Sequence, residues 1–208
     1  MIYNHTTIMW WLWNWIYEHL YFKDPLSNYN YKKDRVLGKG RDNDVYSYID
    51  LTTNEKVAIK KVGFVFPPSR FKEALMLKKI KGKHNTFLDY RGSIIEGNYE
   101  YIITEIAKGC TLLDLCEVIG IDTIKDIIYK LLEGISTAHE MNIVHGDLKL
   151  ENILYDKYNR ELKIIDWGFA ANIGKDGYKN INRVCGTMPY IPPEIFDRIA
   201  GHFNDVWS

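Results

Sequence analysis

The 208-residue sequence predicts an α+β fold in two lobes, a β-rich first part carrying one helix and a helix-rich second part. Three observations predict it. Short alternating runs broken by Gly- and Asn/Asp-rich turns fill residues 31–62 and return at 89–106. One amphipathic stretch, Pro67 to Lys81, interrupts them. From Asp122 to Met141, Ile124, Ile127, Ile128, Leu131, Leu132, Ile135 and Ala138 recur at helical spacing, as in a core helix.

In order along the chain, residues 1–30 form an aromatic extension and residues 31–208 a single domain. Its first lobe is expected over about 31–106, and a partial second lobe over about 107–208. Within the extension, Ile8 to Phe22 reads IMWWLWNWIYEHLYF and holds four of the six tryptophans. No basic residue precedes it, no small-residue cleavage site follows, and Asn14, Glu18 and His19 make it too polar to span a bilayer. The preferred reading is an extra helix packed on the domain, and a helix lying at a membrane interface is the alternative.

Strands are expected at Arg35 to Leu37, Val45 to Leu51, Lys56 to Val62, Asp89 to Glu96 and Tyr99 to Ile106. The first helix is expected from Ser69 as N-cap to Gly82 as stop. No repeat or low-complexity tract appears between residue 31 and the end.

Composition narrows the function. The chain is 46% hydrophobic, enough for a real core, and 27 basic residues balance 27 acidic ones, so no charge excess points to nucleic acid. Cys110, Cys116 and Cys185 form neither a CxxC pair nor a His-bearing cluster, which argues against a disulfide framework or a zinc site. A reducing, intracellular and cytoplasmic location is expected.

Four stretches carry chemistry. In Leu37-Gly38-Lys39-Gly40-Arg41-Asp42-Asn43-Asp44-Val45, two glycines between strands let backbone N–H groups approach phosphate oxygens, although such a hairpin is by itself usually only a turn. Val57-Ala58-Ile59-Lys60 puts a lysine on the next strand. With Glu73 thirteen residues on, it suggests a held ion pair that aims the ammonium at phosphates. In VHGDLKLEN, residues 144–152, Asp147 is placed to accept a hydroxyl proton, Lys149 to neutralise a phosphoryl group, and Asn152 to ligate magnesium. In Lys163-Ile164-Ile165-Asp166-Trp167-Gly168-Phe169, an apolar strand delivers Asp166 as a second metal ligand. Taken singly, each Asp is more often a turn residue or N-cap; their common order is what argues for chemistry.

In that order GKGRDNDV, VAIK, HGDLKLEN, DWG and PPE resemble the signature set of eukaryotic-type protein kinases, over about Tyr31 to Ser208. The resemblance implies ATP and Mg2+, with Leu37, Gly38, Gly40, Val45, Ala58, Lys60 and Glu73 around the nucleotide. Thr104 is then expected beside the adenine, and Glu105 and Ile106 as the hinge. It also implies that Asp205 opens a helix supporting the catalytic loop. HGD and IIDWG also resemble small-molecule phosphotransferases of the aminoglycoside and choline type. Lys149, and the stretch CGTMPYIPPE at 185–194, favour a protein substrate instead, and Lys149 with Thr187 resembles the serine/threonine type.

Three departures bear on activity. Gly146 stands where related sequences often carry an arginine that pairs with a phosphorylated loop. Between Asp166 and Glu194 there is no Ser and only one Thr, Thr187, while Arg183 occupies a common phosphorylation position. The two losses match, and imply an enzyme independent of that phosphorylation. Asn43 and Trp167 replace a typical Gly and Phe without removing a catalytic group. By the resemblance, further helices would follow Ser208, so the second lobe is expected to be truncated. A non-catalytic kinase-like binding module is therefore the alternative to the enzyme.

Overall fold

The computed structural model describes residues 24–39, 43–63, 72–115, 119–182 and 184–208. The aromatic stretch at 8–22, Gly40, the N-cap Ser69, Cys116 and Arg183 lie outside these. The first part is a five-stranded antiparallel sheet in the order β1-β2-β3-β5-β4: β1 (Tyr31–Lys39), β2 (Asn43–Asp50), β3 (Lys56–Gly63), β4 (Tyr90–Glu96) and β5 (Tyr99–Thr104). All five expected strands are present, with β1 extended at both ends. A two-residue turn, with Gly97 at φ 58°, closes β4 onto β5.

Alternation along these strands gives the sheet two apolar faces. Tyr48, Val57, Ile59, Tyr101 and Ile103 pack with Leu26, from a 3-10 turn at Pro25–Tyr29, in a cluster on one face. Ile102 points the other way, into the larger core with Ala74, Leu77 and Ile80 of helix α1 (Lys72–Ile80). Beyond α1, Gly82 at φ 68° ends the helix as its sequence position predicts.

The second part is the more helical one, as expected, and also carries short strands: β6 (Cys110–Thr111), α2 (Leu112–Leu115), α3 (Ile121–Glu140), β7 (Ile143–Val144), β8 (Ile153–Asp156), β9 (Glu161–Ile164), β10 (Ala171–Asn172), β11 (Tyr178–Asn180), α4 (Pro193–Phe196), β12 (Ile199–Gly201) and α5 (Phe203–Trp207). The strands pair as β6-β8-β9, β7-β10 and β11-β12. All seven are two to four residues long, too short for a period of two to show in sequence.

Helix α3 is the frame of this part, and its core side is narrower than its apolar stripe. Ile127, Gly134, Ile135 and Ala138 are buried, whereas Ile128 and Leu132 are exposed along with Ile121 and Tyr129. The contact is close at Gly134, where a methyl group would collide with Oγ1 of Thr86. No helix among the described residues is long and apolar enough to cross a membrane.

Candidate active site

The strand register assembles the first half of the site. Gly38 pairs with Val45, Val45 with Lys60, and Lys60 with Ile102, while Ala58 lies opposite Thr104. Because Val57 and Ile59 enter the cluster around Leu26, Ala58 and Lys60 face the other side of the sheet. There Nζ of Lys60 lies 2.8 Å from both carboxylate oxygens of Glu73, on α1, and 2.8 Å from Oδ1 of Asp166. The lysine and glutamate side chains are only 15% and 9% exposed, so the pair is held away from water. Burial works against the ammonium, yet the two carboxylates raise its pKa above the ordinary lysine value. Burial likewise pushes Glu73 up while Lys60 pulls it back; an ammonium centred on both oxygens is the geometry of a charged pair.

The second half is the loop that follows β7. Its entry, Ile143 and Val144, is buried, and His145 is fully buried. Nδ1 of His145 accepts from the Asp147 amide at 3.3 Å, so Nε2 carries the proton and donates to the Ile165 carbonyl at 3.0 Å. Burial lowers the pKa of this imidazole and keeps it neutral. Gly146 sits at φ 78°, and a methyl group there would lie 3.2 Å from the Phe169 carbonyl oxygen. The amides of His145 and Gly146 each donate at 2.8 Å to the buried carboxylate of Asp205 on α5.

These supports aim Asp147, which is buried but not isolated. Its Oδ2 lies 2.9 Å from Nζ of Lys149. Its Oδ1 accepts from the Thr187 hydroxyl at 2.7 Å, and the same hydroxyl accepts from Nζ of Lys149 at 2.8 Å. Asn152 donates from Nδ2 to the Asp147 carbonyl at 2.8 Å and to Oδ2 at 3.2 Å. With its nitrogen so engaged, the amide oxygen of Asn152 is the atom left for a hard cation.

Asp166 follows β9 at φ 61° and caps a 3-10 turn, Trp167–Phe169. Its bonds from Lys60 and from the Gly168 amide both fall on Oδ1, so Oδ2 carries neither. Burial opposes its charge, but Lys60 holds its pKa below the ordinary carboxylate value. An ionised carboxylate that is 38% exposed and an amide oxygen make an oxygen-only donor set, which fits magnesium. Trp167 behind it is fully buried, edge-on to Phe87 and His145, and donates to the Ile164 carbonyl at 3.1 Å.

The sequence-predicted residues Lys60, Glu73, Asp147, Lys149, Asn152 and Asp166 thus converge. Leu37, Gly38 and Val45 lie on the neighbouring strands, and Thr104 is buried at the end of β5. Glu105 and Ile106 leave that strand as irregular backbone. The Glu105 side chain accepts from Lys163 at 2.6 Å and from the Asp89 amide at 2.9 Å, and its amide donates to the Asp89 carbonyl. Sequence reasoning missed Lys163 and the supporting His145. The only signal for His145 was its place in HGD, and Lys163 had none, since its partner is 58 residues away.

Comparison with known proteins agrees with this geometry. The protein kinase domain family matches residues 31–208. Serine/threonine-protein kinase chk1 of Schizosaccharomyces pombe is 32% identical over 195 residues, which cover 88% of this chain and 39% of that protein. Serine/threonine-protein kinase grp of Drosophila melanogaster is 34% identical over 184 residues, 84% of this chain and 35% of that protein. Calcium-dependent protein kinase 4 of Plasmodium falciparum is 29% identical over 194 residues, 87% of this chain and 36% of that protein. The chain spans less than two fifths of the length of each of these relatives. With the family match running from residue 31 to residue 208, the chain belongs to the protein kinase domain family.

Proposed function

We propose that this chain transfers the γ-phosphate of ATP to a serine or threonine hydroxyl of a protein substrate. The observation that carries the reading is the Thr187 hydroxyl shared between Asp147 and Lys149, which holds a proton acceptor and a cation at one point.

In this reading Lys60, fixed by Glu73, binds and orients the phosphates above the strands that carry Leu37, Gly38, Val45 and Ala58. Thr104, Glu105 and Ile106 border the adenine, and Gly40, outside the described residues, is assigned to phosphate contact by the family pattern alone. Asp147 orients the substrate hydroxyl and takes its proton as the oxygen bonds to the γ-phosphorus. The bond from that phosphorus to the β,γ-bridging oxygen breaks, and ADP leaves with the electron pair. Lys149 offsets charge on the phosphoryl oxygens. Asn152 and Asp166 would hold Mg2+, which when bound neutralises charge on the phosphates. The neutral His145 and Asp205 keep the loop backbone in place.

Lys149 and Thr187 favour a protein over a small metabolite as acceptor, because Thr187 belongs to the segment where a peptide would dock. The test is phosphoamino-acid composition of a generic basic protein after incubation with labelled ATP and magnesium. Phosphoserine or phosphothreonine supports the reading. Phosphotyrosine alone, or turnover that depends on an added metabolite, overturns it, and a folded chain that transfers nothing favours a non-catalytic binding module.

A further inference from the structure

Asp205 has a third partner that the mechanism does not use. Its side chain is fully buried, and besides the two loop amides its Oδ2 accepts from Nε2 of His139, on the last turn of α3, at 2.9 Å. The ring of His139 stacks on that of His202, the residue before α5, with centroids 4.4 Å apart and planes inclined by 25°. Nε2 of His202 is buried with no hydrogen-bond partner among the described residues. Two imidazoles, one carboxylate and two loop amides therefore form one contiguous chain.

We propose that His202 is a positioning residue: the neutral His202 ring packs His139 against Asp205, and so holds the catalytic-loop amides, until a proton on His202 loosens that grip. The effect on transfer rests on the protein kinase reading; the effect on the loop does not.

The groups facing the pair come from three elements. Asp205, from α5, faces His139 and accepts its Nε2 hydrogen bond. A proton on His202 has the His139 ring stacked against it and no carboxylate hydrogen-bonded to it among the described residues. The remaining imidazole of the region, His145, points to the Ile165 carbonyl and stays neutral through burial. Burial first, and then His139, lower the pKa of His202. For such a depressed group the sign is fixed. The neutral form is fully present above the ordinary imidazole value, about 6.5, and is lost as pH falls from there through the lower folded value.

The test uses the full 208-residue chain and two variants. His202→Phe keeps a flat ring that cannot take a proton, and His139→Gln keeps an N–H donor for Asp205 without an imidazole. Nuclear magnetic resonance follows the histidine rings and the exchange protection factor of the Gly146 amide between about pH 8 and 5. In the unsubstituted chain that protection factor is expected to fall roughly tenfold with the midpoint of the His202 ring, while it stays level in both variants. In parallel, kcat is expected to fall with the same midpoint and KM for ATP to hold, with the kcat loss absent from His202→Phe. A Gly146 amide that ignores the His202 titration, or a His202→Phe chain that keeps the acid response, overturns the proposal. Should no pH support transfer, the kinase reading fails and the amide exchange still decides the coupling.

Discussion

The Thr187 hydroxyl lies 2.7 Å from Oδ1 of Asp147 and 2.8 Å from Nζ of Lys149, so it ties the two groups together across forty residues of chain. A charge-assisted hydrogen bond of this kind contributes about 1.5–3 kcal/mol, or roughly 10- to 100-fold in rate if it serves the transition state. Thr187→Val, close in shape but without the hydroxyl, is expected to lower kcat by that factor while the KM for ATP holds. Thr187→Ser should recover most of it. Steady-state kinetics of the two variants check this.

Lys60 holds two carboxylates, and removing it leaves them facing each other. Lys60→Met is expected to abolish measurable transfer and to cost about 3 kcal/mol of stability near neutral pH, because Glu73 and Asp166 then lose their cation. The stability loss should shrink on acidification, as protonation of Glu73 removes the uncompensated charge. Urea midpoints at neutral and acidic pH measure both statements.

Gly146 is a backbone requirement as well as a departure from the family pattern. At φ 78°, with the Phe169 carbonyl beside it, any side chain meets strain that glycine avoids. Gly146→Ala is expected to destabilise the chain by about 1–2 kcal/mol, with the loss read from denaturant unfolding. An alanine variant as stable as the original chain would show that the loop relaxes at no cost.

The segment between Asp166 and Glu194 is anchored by backbone pairing. β11 pairs with β12 through Tyr178 and Gly201, Lys179 and Ala200, and Asn180 and Ile199, and the Ile181 amide adds a bond to the Arg198 carbonyl. Backbone pairing needs no modification, so phosphatase treatment of the purified chain is expected to leave its transfer rate unchanged. Loss of activity on treatment would point to the exposed Tyr178 as the phosphorylated residue.

Much of this was legible because it is written locally. The alternation in Lys56 to Val62 fixed which side Lys60 faces, since Val57 and Ile59 claim the opposite side for the core. Asp147 and Asn152, five positions apart, are close enough in sequence to meet through one turn. What stayed hidden depends on distant partners. The resemblance put Asp205 in a helix that supports the catalytic loop, but its partners, the amides of His145 and Gly146 about sixty residues back, became visible only in the structure. The exposure of Ile128 and Leu132 was equally unreadable, because helical spacing marks an apolar face without saying how much of it is covered.

The measurement that bears most directly on the account is phosphate transfer from labelled ATP with magnesium to a generic basic protein, by the 208-residue chain and by its Asp147→Asn variant. Asparagine keeps the size of the side chain and cannot take the hydroxyl proton. The account predicts transfer by the unsubstituted chain and a loss of at least about 100-fold in the variant, with both equally folded. Equal transfer by the two would contradict it, since the carboxylate to which Lys149, Thr187 and Asn152 converge would then have no part in the chemistry.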